Sequence, residues 1–217
     1  IRRQRQMCIR DSISMDDFRY REKFRIRMWK ALNISFPRMV FRRVVNLLGE
    51  KQTRVLFDLL KNKEFSYLPF VISPELPYNM EQKYRDLFEN PKFIIAVNII
   101  RIARIEDYLV SNLSEPVTDF IAILLHYLRA TEKCYRMNLS DKVSSCSGSA
   151  FREVKEQFRK EEKFFMEKAE FLPLDEKYVV CCISTLCLEE LSDKSRLKLE
   201  TIFAAQRSSL AAIGELQ

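Results

Sequence analysis

The chain has 217 residues, 47% hydrophobic and 31% charged, which suits one large or two small domains and excludes a disordered segment. With three glycines (Gly49, Gly148 and Gly214) it has almost no means of building hairpin turns, phosphate-cradling loops or dinucleotide-binding turns, which need positive φ or close backbone approach. The net charge of +7 is local: residues 1–54 hold 15 Lys/Arg against 5 Asp/Glu, whereas 55–217 hold 22 against 25. Such asymmetry marks either an arm that meets an acidic partner or a solvated basic face.

The first residue is Ile1 rather than Met, which reads as processing, truncation or incomplete sequencing. Residues 1–10 carry four arginines and no acid, as the tail of a mitochondrial transit peptide or a basic arm (1–14) would. Over 15–33 two patterns compete. Phe18-Arg19-Tyr20-Arg21 and Phe24-Arg25-Ile26-Arg27 alternate like a strand, but Ser14 with Asp17 is a capping box. Without partner strands, a helix is expected. The segment interleaves Arg19, Arg21, Lys23, Arg25, Arg27 and Lys30 with Phe18, Tyr20, Phe24 and Trp29. Arginine forks fit phosphate and aromatic rings stack on unpaired bases, so these cations are candidate contacts to RNA or another anionic partner. Arg38, Arg42 and Arg43 extend the patch. Acidic protein surfaces and anionic membranes would attract the same charges, which leaves peripheral membrane contact open. The competing reading is an amphipathic helix with its aromatics in the core and its arginines in water.

The next elements are clearer. Pro37 suits a first helical position, Val40, Phe41, Val44, Val45 and Leu48 recur at helical spacing, and Gly49 is a natural C-cap. A helix over 51–62 follows, completing an antiparallel pair. Residues 65–79 contain three prolines, which forbid a continuous helix. Their apolar side chains, Tyr67, Leu68, Phe70, Val71 and Ile72, are either buried in the chain's own core or are candidate contacts to a partner protein. Asn79 and Asn90-Pro91 are helix starts. A helix over 91–104 and a short one over 105–113 are expected, and then 117–133, polar only along Asp119, His126, Arg129 and Lys133.

Residues 138–149, with five serines and Gly148, are the expected linker between an N-terminal lobe (15–137) and a C-terminal lobe (150–217). Phe151, Val154, Phe158, Phe165 and Ala169 share one face of 150–170. Pro173 opens an apolar helix to Leu191, and Ser192-Asp193 caps a last helix to Arg207. The apolar helices 117–133 and 173–191 are expected at the centres of the two lobes.

Reactive motifs are few. His126, the single histidine, lies on a polar stripe, so a surface role is expected and histidine-based acid–base chemistry has no other candidate. No glycine-rich phosphate loop, metalloprotease or EF-hand pattern occurs. Cys181 and Cys182 diverge by about 100° on a helix, Cys187 follows five residues later, and Cys8, Cys134 and Cys146 lie elsewhere. With no C-x-x-C, the thiols read as core residues of a reducing compartment. No uncharged apolar run approaches the ~18 residues of a spanning helix. Neither catalytic residues, metal, cofactor nor small-molecule substrate is therefore expected.

Three stretches, Arg38–Lys61, Lys92–Leu113 and Glu176–Phe203, share a form: an apolar helix, a polar break and a second amphipathic helix. The phrases NPKFIIAVNIIRIARIEDYLVSNL and LDEKYVVCCISTLCLEELSDKSRLKLETIF resemble the heptatricopeptide and octotricopeptide class of organellar helical repeats. Their starts keep no fixed period, so the expected fold is all-α, with stacked antiparallel helix pairs in an irregular repeat or an α-bundle. The resemblance implies a mitochondrial matrix protein of RNA metabolism, or a scaffold subunit of the mitochondrial ribosome or an energy-converting complex. Partners would be protein subunits of that complex and ribosomal RNA; a homo-oligomer is not implied. An accessory subunit of the mitochondrial ribosome is the leading expectation. A subunit of ATP synthase or a respiratory complex, and a free-standing RNA-binding repeat factor, are the alternatives.

Overall fold

The computed structural model describes residues 38–214 apart from 63, 66–67, 71–74, 110, 141–147 and 188. The described residues form eight α-helices and no strand. They are α1 Arg38–Leu48, α2 Glu50–Lys61, α3 Gln82–Glu89, α4 Phe93–Tyr108, α5 Glu115–Leu139, α6 Ser149–Lys168, α7 Leu174–Leu186 and α8 Asp193–Gly214. The all-helical expectation is met. The expected arm (1–14) and the ambiguous segment 15–33 lie outside the described residues.

Gly49 joins α1 to α2 because its φ of 79° and ψ of 162° suit only a residue without Cβ. Its N–H donates to Val45 O at 2.7 Å and ends α1. Its carbonyl accepts from the Thr53 N–H at 3.0 Å and from Thr53 Oγ1 at 2.8 Å, which starts α2. After α2 the proline-rich stretch makes a 3-10 turn over Leu68–Phe70, and Leu68, Pro69 and Phe70 are all buried. Of the two fates open to this segment, the chain's own core takes Leu68 and Phe70. Tyr67, Val71 and Ile72 lie outside the described residues.

α4 is the hub, packed against α1, α3, α5 and α7. It is buried nearly all round, with Asn98, Arg101 and Arg104 inside along with its isoleucines. α5, which contains the 117–133 stretch expected to be central, packs extensively on both α4 and α6, while α4 itself was expected to end at Arg104. One unbroken helix runs to Tyr108, because Arg104 is not at a solvated end but lies over the Tyr108 ring, 5.8 Å from its centroid.

α5 and α6 make the most extensive helix–helix interface. Phe120 stacks on Phe165 with centroids 4.2 Å apart, and Tyr127 stacks on Phe158 at 4.7 Å. Numbers rise along α5 as they fall along α6, so the two helices run antiparallel. α5 extends past the expected end at Lys133 to Leu139. The hydrophobic core runs without a break from Val40 to Ile202. The two lobes expected on either side of 138–149 thus share one core. Among the described residues no helix is long and apolar enough to cross a membrane.

Candidate anion-binding face

Four glutamates, Glu132, Glu162, Glu176 and Glu190, are buried. A buried carboxylate is costly unless it is charge-paired or hydrogen-bonded, and each of these reaches across to another element. Glu190, in the turn after α7, pairs with Arg101 of α4, and both side chains are 3% exposed or less. Arg101 also donates to Leu186 O at 2.6 Å and to Asn98 Oδ1 at 2.9 Å. Burial is the largest single influence and would lower the Arg101 pKa; the surrounding groups together, Glu190 foremost with Cys187 and Glu189, leave the net shift upward, so the guanidinium stays charged.

Two other acids hold helix starts. Glu176, in the first turn of α7, accepts from the Ser114 N–H at 2.6 Å and from Ser114 Oγ, capping α5 from outside. Glu162 of α6 accepts from the Ser192 N–H at 2.7 Å and from Arg159 Nη1 at 2.6 Å. Ser192 Oγ in turn accepts the Ser195 N–H at 3.3 Å, the cap expected for α8.

Glu132 is different, because its partners stand in solvent. Its Oε1 accepts from Arg136 Nε at 2.8 Å and Nη2 at 2.7 Å, one turn on along α5, and from Arg43 Nη2 of α1 at 3.4 Å. The carboxylate is 11% exposed, whereas Arg43 and Arg136 are 55% and 45% exposed. One sunken negative charge thus gathers two guanidiniums at the surface, leaving a net positive junction between α1 and α5. Arg42 and Lys133, next in sequence to Arg43 and Glu132, are both exposed and without an ion pair among the described residues. Arg129, also exposed, pairs with Glu106 of α4.

Of the cations proposed from sequence, Arg42 and Arg43 are on this face and Arg38 is the first residue of α1. Arg19, Arg21, Lys23, Arg25, Arg27 and Lys30 lie outside the described residues. His126 is exposed on the same α5 stripe as Arg129 and Lys133. Sequence reasoning missed Glu132 and Arg136. Their spacing of four on one helix was the available signal, while the approach of Arg43 depends on tertiary packing.

The remaining chemistry-bearing groups are interior. Burial pushes the Cys182 thiol up to about 11 and the Cys187 thiol up to about 12. Cys134 is buried as well. Among the described residues no group of three His, Cys, Asp or Glu could hold a metal ion. Large apolar side chains are also exposed: Met39 and Phe41 on α1, Leu139 at the end of α5, and Phe164, Phe171 and Leu174, at 53%, 84% and 50%. Lys168 Nζ sits 4.0 Å from the Phe164 ring centroid.

No family model matches the chain, and no curated protein or solved structure matches it significantly.

Proposed function

We propose that this protein is a non-catalytic structural accessory subunit of a large mitochondrial assembly, the mitochondrial ribosome first, and that its basic N-terminal region meets RNA or neighbouring subunits in the matrix. The observation that carries the reading is the junction at Glu132, where Arg43 and Arg136 stand in solvent while the acid that gathers them is sunk. A cationic face of this kind serves contact with an anionic surface. Three further features support the role. The basic segment preceding α1 adds to the same sign of charge. Buried acids are used to fasten helices to one another, as a scaffold requires. The helix-pair phrases resemble those of organellar repeat proteins.

A second reading, an accessory subunit of ATP synthase or a respiratory complex, is favoured by exposed Phe164, Phe171 and Leu174, which a protein neighbour would cover. Gradient sedimentation of gently lysed mitochondria, with and without nuclease, separates the readings. A ribosomal subunit sediments in a heavy particle that nuclease disperses. Retention in a nuclease-resistant particle favours the energy-converting complex. A slow-sedimenting free monomer would overturn both and leave a free-standing RNA-binding factor.

A further inference from the structure

We infer that the junction of α1 and α5 is a docking site for an acidic amphipathic helix of a neighbouring protein subunit. Arg43 and Arg136 receive its carboxylates, and Met39 and Leu139 receive its apolar side chains. This rests on the proposed accessory-subunit role and makes protein, not RNA, the partner of this junction. A guanidinium carries five N–H donors in a planar fork. Arg136 commits Nε and Nη2 to Glu132, and Arg43 commits Nη2, so each keeps donors for a further carboxylate. Both bind the same Glu132 oxygen, which sets their tips side by side and offsets their repulsion. They are thus in place before a partner arrives, and less side-chain freedom is lost on binding. α1 holds three arginines and no acid, so complementary negative charge has to come from the partner.

Exposed apolar side chains stand beside these cations. Residues three or four apart on a helix are surface neighbours. Met39, 72% exposed, therefore shares with Arg43 the flank of α1 that meets α5, and exposed Leu139 neighbours Arg136 on α5. A run of phosphates would engage the arginines and leave Met39 and Leu139 in water. A flat bilayer fits no better. Exposed Phe41 projects about 200° from Met39 around α1, toward Phe57 of α2, with exposed Arg42 on the outward side between them. A plane that buried both apolar side chains would bury Arg42 as well. Methionine and arginine are enriched at protein interfaces. An amphipathic helix with apolar residues every three or four positions and an acidic edge supplies both kinds of contact at once.

The test is photo-crosslinking in cells that express the full chain with p-benzoylphenylalanine at position 39 or at position 139, the joined peptides being read by mass spectrometry. Both positions should join the same protein, at segments that carry Asp or Glu within one helical turn of the joined residue. Arg43→Gln alters a side chain that is more than half exposed, so the helical spectrum and unfolding midpoint are expected to persist. It should lower the crosslinking yield from position 139 about tenfold. A purely structural junction predicts instead a lower unfolding midpoint for Arg43→Gln and an unchanged yield. The inference is overturned by that result, by no joined product from either position, or by joining to RNA, to lipid, to a second copy of this chain or to a segment without acids. If both positions join one acidic segment but the native chain sediments as a free monomer, the assembly role fails and the docking site stands. If the chain is particle-bound but both positions join RNA, the docking site fails and the assembly role stands.

Discussion

Gly49 has a backbone conformation that side chains resist, while the space a Cβ would occupy is empty to 4 Å. Gly49→Ala therefore isolates backbone strain. It should lower unfolding free energy by about 1–3 kcal/mol in urea titrations, with no change in the helical spectrum. The buried thiols give a second expectation. Cys182 and Cys187 are raised above the ordinary value of 9.0, to about 11 and about 12, by burial. In the folded chain they stay protonated where the unfolded chain would ionise, so the unfolded state binds fewer protons above pH 9. Stability should thus be level with respect to these groups below pH 9, and fall from there toward the folded values. Alkylation followed by mass spectrometry should find both thiols protected in the native protein and modified in denaturant. Prompt native labelling of Cys187 would contradict its place beside Arg101. Gly49 was legible in sequence because a lone glycine after a helical run has few other uses. The four buried glutamates were not, since side-chain type alone assigns an acid to water. Glu162 carried a signal in its register, four residues after Phe158 and three before Phe165 on the apolar face.

At the scale of elements, the Arg101–Glu190 pair fastens the hub helix α4 to the turn after α7. Removing one partner leaves an uncompensated buried charge, so Glu190→Leu alone should cost about 3–5 kcal/mol. Arg101→Met/Glu190→Leu should recover much of that loss, because apolar replacements remove both charges. Urea unfolding of the two single variants and the double variant tests this, and a double variant weaker than either single would refute it. The aromatic ladder between α5 and α6 makes Phe158→Ala a further probe, expected to cost about 3–5 kcal/mol. Helix existence was readable from periodicity in α1, α2, α5 and α6. Periodicity did not rank the helices by depth. A helix flanked on several sides is buried whatever polar residues it carries, so α4 hides Arg101 and Arg104 that a sequence pattern assigns to water. The serine-rich stretch reads as a boundary by composition, yet the stacking of Phe120 on Phe165 and Tyr127 on Phe158 binds the helices on its two sides.

For the whole molecule, the proposed role rests on contact surfaces. Phe171 is 84% exposed, so Phe171→Ser should change unfolding free energy by no more than about 0.5 kcal/mol. Reduced incorporation of that variant into a mitochondrial particle would mark the surface as a subunit contact. Half of the basic face was legible, because Arg42 and Arg43 sit in a run of positive charge. Arg136 and Lys133 were not joined to it, since the sequence does not say that α5 passes beside α1. The most direct test of the proposed role is incorporation of an Arg42→Glu/Lys133→Glu chain into mitochondrial particles, followed by gradient sedimentation beside the unmodified chain. The account predicts a folded protein, judged by its helical spectrum and unfolding midpoint, that shifts from the heavy fractions to the free pool. Unchanged sedimentation with the particle would contradict it.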